Sequence, residues 1–507
     1  MTTGRVPQAV RRPAGRTVGR NVSRVGITLA LAFAALAGGA GYWQVVRSTD
    51  LSTAPDDPAV ISAARHVPRG RILDRRGTVL ATNRLDANKE PYRVYRDRVM
   101  SPVIGYASRQ YGMAGLELAY DTQLAGLRRA DPVADMLTKF QAKRFDPQDV
   151  TLSLSLQIQR AAVRGLGRDQ GAVVMLDPRT GEVLALASTP TYNASALTNP
   201  TTAAATWKAL TSDKSDPLLP RATLGRYVPG SVMKIVTAVA AFRSGSITKD
   251  TTFKQQPAAE KTGLLVSGYR VRDGHHLFTG DRALDFIEAT EVSCNIYFAL
   301  TGLRTGGDEM DAAARKLGFY APIPFDLPTA PSQLTNGGGP LPGGFLDRVE
   351  LANAAYGQGE TDVTPLQMAL VAAAVANDGV LMKPHLVRSF HGANGTQTVA
   401  PETWTTVLPF NDAAVIKEAM QRAVEGQYGR LFTTGAKVPG ISTAGKTGTA
   451  QLGGSGEPNS WFIGFAPVEQ PRIAIAVVVA HGGGGGARAA PLGGDLMKLF
   501  FDTEANR

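Results

Sequence analysis

Cysteine occurs once in this chain of 507 residues, at Cys294. No intramolecular disulfide can form, and there is no cysteine cluster for zinc or an iron–sulfur centre. Histidine is scarce too: there are six, none in an H-E-x-x-H pair. These two shortages argue against metal catalysis. No segment repeats at a fixed period. Glycine is abundant at 55 residues, but it falls in short clusters that read as loops. With 43% hydrophobic and 19% charged residues, the composition suits a packed core, and the length allows two or three domains.

Acidic residues are missing from the first 24 positions, which carry six arginines (Arg5, Arg11, Arg12, Arg16, Arg20 and Arg24). This block supplies more than half of the formal net charge of +11. Nucleic acid is the obvious partner of such a block, but the next segment argues otherwise. Val25 to Val46 is a run of 22 residues without a charge. As a helix it spans about 33 Å, against a hydrocarbon core of about 30 Å. Arginines on its N-terminal side put that end in the cytoplasm, and Tyr42 and Trp43 suit an outer aromatic belt. A cleaved signal peptide is the competing reading, with Ala35-Leu36-Ala37 as the cleavage site. The run stays apolar to Val46, which favours an uncleaved anchor. Either way the bulk of the chain is exported.

The expected division is a cytoplasmic Arg-rich tail at 1–24, a transmembrane anchor at 25–46, a small α+β module at 47–150 and a larger domain at 151–507. In the module, Ile72-Leu73 and Thr78-Val79-Leu80-Ala81 read as a hairpin turned by Arg75-Arg76-Gly77. Gly115-Leu116-Glu117, with Tyr120, Asp121 and Leu124, reads as a helix. Leu152 to Leu156 alternates like a strand, and Gln157 to Leu166 reads as a helix. Gly171 to Asp177 and Glu182 to Ala187 form a second hairpin. Trp461 to Phe465 and Ile473 to Val479 are strands, and Leu492 to Phe501 is a closing helix. Strands at both ends of a mostly helical middle predict an α+β domain, an antiparallel sheet flanked by helices. Gly482 to Gly486 reads as a mobile loop, with a place at the border of the site as the alternative.

Three short motifs carry chemistry. Ser231-Val232-Met233-Lys234 follows Pro229-Gly230 and opens an apolar helix, so Ser231 lies at a helix N-terminus beside Lys234. A buried lysine near another cation loses its charge and can take a hydroxyl proton. The bland alternative is a capping serine with a solvated lysine. Ser293-Cys294-Asn295 interrupts a helical stretch. Its hydroxyl and amide could relay a proton and bind a substrate amide, or simply cap a turn, and Cys294 reads as a small buried hydrophobe. Lys446-Thr447-Gly448-Thr449 lies on a strand. Gly448 leaves room for a substrate backbone, and Lys446 binds a carboxylate or biases Lys234. The alternative is an edge lysine that discourages aggregation.

Each motif is weak alone. In this order, S-x-x-K, S-x-N and K-T-G form the signature of penicillin-binding proteins and class A β-lactamases. The chain resembles a class B penicillin-binding protein, a monofunctional peptidoglycan D,D-transpeptidase, over nearly everything after the apolar run. Arg69 to Gly77 resembles the first signature of that class's N-terminal dimerisation or pedestal module, and Gly115-Leu116-Glu117 a later one. Tyr356 to Glu360, followed by Thr364 to Met368, is similar to a further class signature. β-Lactamases generally lack these.

The resemblance implies that Ser231 attacks the penultimate D-Ala carbonyl of a stem peptide, with Lys234 as base. Ser293 and Asn295 assist proton transfer and hold substrate. Lys446, Thr447 and Thr449 bind the terminal carboxylate, with Gly448 between them, and the backbone N–H groups of Ser231 and Thr449 form the oxyanion hole. β-Lactams then acylate Ser231. A lipid-linked glycan polymerase is the implied partner; no cofactor and no nucleic acid are implied. No glycosyltransferase-like segment precedes the module, so a bifunctional enzyme is not expected. The rival readings are a D,D-carboxypeptidase, a β-lactamase or a β-lactam sensor, and a non-catalytic wall-synthesis scaffold. No Glu-x-x-Leu-Asn segment follows the second motif as in class A β-lactamases. A sensor would carry further spans, and a scaffold would not need Ser231, Lys234 and Lys446.

Overall fold

The computed structural model describes residues 26–29, 31–33, 36, 68–126, 146–273, 276, 281–451 and 456–503. Those from 68 onward belong to one compact unit. The arginine-rich tail and most of the 25–46 run lie outside the described residues. Among the described residues no helix is long and apolar enough to cross a membrane.

The chain enters the described unit through strand β1 (Ile72–Leu73), which turns into β2 (Val79–Leu85) and then β3 (Pro91–Tyr95). Asp74 makes the first turn: its carboxylate accepts from Arg76 N and Thr78 N. Short helix α1 (Leu116–Ala119) carries Glu117, which is fully buried. Arg93 Nε donates to one of its oxygens at 2.6 Å and Arg69 Nε to the other at 2.8 Å. The two N-terminal signatures are thus halves of one buried ion cluster. A carboxylate at zero exposure persists only when paired and hydrogen-bonded in this way.

Strand β4 (Asp149–Leu152) runs parallel to β1 and antiparallel to Val387–Gly392, a strand far later in the chain. Helix α2 (Leu156–Leu166) follows β4. The strand expected at 152–156 is therefore misplaced. Ser153 Oγ donates to Val183 O at 2.7 Å, and Ser155 caps α2 by accepting from Ile158 N. The alternation reflects two buried hydroxyls with separate tasks.

Strands β5 (Gly171–Leu176) and β6 (Val183–Thr189) form the second hairpin. The middle of the chain is largely helical, with α3 (Lys234–Arg243), α4 (Gln256–Thr262), α5 (Phe286–Glu291), α6 (Asn295–Thr305) and α7 (Pro365–Ala376). Strands β7 (Val387–Gly392) and β8 (Gly395–Thr398) follow, then α8 (Phe410–Glu425). The chain ends with β9 (Ala444–Ala450), β10 (Asn459–Ala466), β11 (Ile473–Val479) and α9 (Ala489–Thr503).

The central sheet is antiparallel in the order β9-β10-β11-β5-β6. Helices cover both faces. Val174, Ile463 and Ala476 share one core with α3 and α7, while Val173, Phe462 and Val477 share the other with α2 and α9. Burial on both sides explains why β11 reads as an unbroken apolar run. Helix α7 is buried along all twelve residues, as a helix hydrophobic all round must be. A second, mixed sheet has the order β8-β7-β4-β1-β2-β3. It joins strands from the first hundred residues to strands near residue 390, across the expected boundary at 150.

Candidate active site

Ser231 sits in a 3-10 turn (Gly230–Met233) that leads straight into α3. Three contacts hold this turn. Trp461 Nε1 donates to Val228 O at 3.0 Å, Gly230 N donates to Gly357 O at 2.9 Å, and the turn packs on β9. Gly357 has a φ of +82°, and a Cβ there would lie 2.0 Å from Gly230 O. The Tyr356-Gly357 signature is thus the backing of the serine turn.

Lys234 is fully buried, like every residue of α3 except Arg243. Its amine lies 3.1 Å from Ser231 Oγ, 3.1 Å from Ser293 Oγ, 2.7 Å from Asn295 Oδ1 and 2.5 Å from Ser293 O, one more neighbour than an ammonium has protons. Burial pushes this amine down to about 8, against smaller opposing pulls from Asp273 and Cys294. The solvated-lysine alternative does not hold at zero exposure.

Ser293 and Asn295 lie where helix α5 ends and α6 begins. Ser293 has a φ of +60°, a costly conformation for a residue with a side chain. That strain turns both Ser293 oxygens toward Lys234. Cys294, not Ser293, caps α6: its sulfur accepts from Tyr297 N at 3.3 Å. The cysteine is fully buried within the apolar core, and it also meets polar neighbours. Its thiol donates to Glu260 Oε1 at 3.2 Å, and burial with nearby Asp273 and Glu260 pushes its pKa well up. The expected burial of Cys294 thus holds, with polar contacts in addition.

Lys446 lies on β9, an edge strand of the central sheet, yet its side chain is buried. Its amine donates to Ser293 Oγ at 2.7 Å and to Thr447 O at 3.1 Å. Burial, and then the neighbouring Lys234 charge, push Lys446 well below the ordinary lysine value. The two amines share one serine oxygen, and holding one charge between them costs less than holding two. Gly448 has a role the sequence did not reveal. A Cβ there would meet Pro229 O at 2.7 Å and Val232 Cγ1 at 3.2 Å, so the backbone it admits is the chain's own serine turn.

Ser231, Ser293, Thr447 and Thr449 line a cleft of about 360 Å³. Lys234 and Lys446 stand behind its wall. Asn295 is half-buried beside them, with its Oδ1 on the Lys234 amine and its Nδ2 donating to Arg272 O at 3.2 Å. Two further segments complete the lining. Gly484, Gly485 and Gly486 border the cleft, and Gly485 N donates to Thr449 Oγ1 at 3.1 Å. The loop read as mobile takes its alternative place at the border of the site and is pinned to the K-T-G strand. The other segment, which the sequence reading missed, supplies Leu431, Phe432 and Thr434, the first two large exposed apolar residues. Buried Glu291, at the end of α5, holds this lip by accepting from Tyr428 N at 2.9 Å and from Arg422 Nη2 at 2.9 Å. Two exposed apolar residues side by side were the available signal. The arrangement is a hydroxyl beside a buried, partly neutralised amine, with a second amine and a hydroxyl-lined cleft: a site for acyl transfer through serine.

Residues 171–498 match the family described as penicillin binding protein transpeptidase domain, and residues 69–147 match the penicillin binding protein A dimerisation domain. The peptidoglycan D,D-transpeptidase PbpA of Mycobacterium tuberculosis is 33% identical, over 96% of this chain and 99% of that protein. The peptidoglycan D,D-transpeptidase MrdA of Acinetobacter baumannii is 30% identical, over 77% of this chain and 60% of that protein. Among solved structures, penicillin-binding protein A from M. tuberculosis in a penicillin G acyl-enzyme complex superposes with a TM-score of 0.74. It shares 31% identity, over 86% of this chain and all of that one.

Proposed function

The chain belongs to the penicillin-binding protein transpeptidase family, and on that footing we infer that it is a peptidoglycan D,D-transpeptidase. It joins stem peptides through a serine acyl-enzyme and is acylated by β-lactams. The observation that carries this reading is the fully buried Lys234 amine, 3.1 Å from Ser231 Oγ.

Neutral Lys234 takes the Ser231 proton as Oγ bonds to the penultimate D-Ala carbonyl carbon. The backbone N–H groups of Ser231 and Thr449 receive the developing oxyanion. Ser293 Oγ accepts from both lysine amines, so its single proton is left to give. It passes to the leaving nitrogen as the C–N bond to the terminal D-Ala breaks, and Lys234 replaces it. Asn295 holds the Lys234 amine and the substrate amide. The terminal carboxylate binds Thr447, Thr449 and the Lys446 charge. That carboxylate raises Lys446, which leaves Lys234 as the neutral partner. An amine of a neighbouring stem peptide then attacks the ester and restores Ser231.

The catalytic domain works outside the cytoplasmic membrane, with 25–46 as a single-pass anchor and 1–24 in the cytoplasm. The uncharged run directly after six arginines supports this. A lipid-linked glycan polymerase supplies the strands to be joined, contacting the anchor and the small module. The module's match to a dimerisation family makes it the natural docking element.

The test is a fluorescent penicillin. A lasting adduct that disappears in Ser231→Ala supports the reading, as does D-Ala release that speeds up with an acceptor amine. Rapid release of hydrolysed drug would reassign the enzyme to hydrolysis.

A further inference from the structure

Ser460 lies on β10 directly opposite Thr449 on β9, so the two side chains stand on the same face of the central sheet. Ser460 is fully buried, whereas Thr449 is exposed in the cleft. The glycine loop lies across both. One peptide unit of that loop joins them: Gly484 O accepts from Ser460 Oγ at 3.0 Å, and Gly485 N donates to Thr449 Oγ1 at 3.1 Å. Given a site that binds a terminal carboxylate at Thr449, as inferred above, we propose that Ser460 is a positioning residue for that carboxylate. It sets the direction of the Gly484–Gly485 peptide and thereby aims the Thr449 hydroxyl proton into the cleft.

The proton directions follow from the backbone donors. Ala489 N, at the start of α9, donates to Ser460 Oγ at 3.1 Å. A backbone N–H only donates, so the serine oxygen accepts there and its own proton goes to Gly484 O. Thr449 Oγ1 likewise accepts from Gly485 N, and its own proton is left for the cleft. Donors therefore run in one direction, from the positive end of α9 through Ser460 and the peptide to Thr449, each polarising the next. A carboxylate in the cleft meets the last of them. Glycine on both sides of the peptide offers little resistance to its rotation. Flipped, Gly484 O faces Thr449, takes its proton and turns a lone pair toward the carboxylate site. Ala487 N also donates to Gly484 O at 2.9 Å, but it belongs to the loop itself. Ser460 ties that carbonyl to the sheet. The fit is close: a Cβ on Gly485 would lie 2.6 Å from Gly448 O.

Acylation of the full chain in detergent by penicillin G and by its methyl ester tests this, because the ester keeps the ring and lacks the charge. Ser460→Ala is expected to lower the preference for the acid over the ester by about tenfold, the scale of a lost hydrogen bond to a charged group. The loss falls on binding of the intact drug rather than on ring opening. In a Thr449→Val background, Ser460→Ala lowers the preference no further, because the two residues act through one hydroxyl. Ser460→Cys still accepts from Ala489 N but donates weakly, and it takes the place of the alanine variant should that one misfold, with the same pattern expected. An unchanged preference for the acid overturns the positioning role, and so does a second, equal loss in the Thr449→Val background. Both outcomes leave the transpeptidase reading standing. A wild-type chain that forms no penicillin adduct overturns that reading, and the role of Ser460 with it.

Discussion

Lys234 sets the pH range in which Ser231 reacts. The base must be neutral, and burial brings this amine down to about 8. Lowering the pH protonates it, so the rate of penicillin acylation falls by about tenfold per pH unit below 8 and levels off above. An unperturbed lysine would level off only above about 10. A pH–rate profile of acylation separates the two. Gly448 is the second decisive residue. Gly448→Ala forces a methyl group against Pro229 O, and overpacking of this kind costs about 1–3 kcal/mol. Because the strain falls on the serine turn, acylation drops more than the melting temperature does. Both are measured on the same purified variant.

At the scale of elements, the N-terminal signatures read as a hairpin and a helix, and that is what they form. Their reason was hidden: Glu117 lies 24 and 48 residues from the two arginines it pairs with. Glu117→Gln leaves Arg93 buried without its charge partner, which costs about 3–5 kcal/mol. Urea unfolding should show a lower midpoint with little change in slope. The lip over the cleft depends on Glu291 in the same way. Glu291→Ala frees the Tyr428–Phe432 segment and weakens penicillin acylation while Ser231 stays intact; the adduct forms slowly but still forms. Strands buried on both faces, such as Ile473–Val479, were legible because they are apolar throughout. The Leu152–Leu156 pattern misled because alternation cannot distinguish a strand from hydroxyls that cap and cross-link.

At the scale of the molecule, the mixed sheet makes the module and the larger domain mutually dependent. Strand Asp149–Leu152 lies between Ile72–Leu73 and Val387–Gly392. A chain beginning at residue 151 loses the strands that cover Val387–Gly392 and exposes a hydrogen-bonding edge. Such a truncation should aggregate, whereas one beginning near residue 47 should stay monodisperse in size-exclusion chromatography.

The sequence by itself determined the chemistry class. S-x-x-K, S-x-N and K-T-G are local patterns whose residue types and order survive without coordinates, and the apolar runs dictate helices and strands through periodicity and burial. The tertiary structure decided what those motifs touch. Only folding brings Lys446 to Ser293 Oγ, sets Gly448 against Pro229 and folds the 482–486 glycines over Thr449. Distances between residues far apart in sequence are fixed by packing, and a linear pattern carries no record of them.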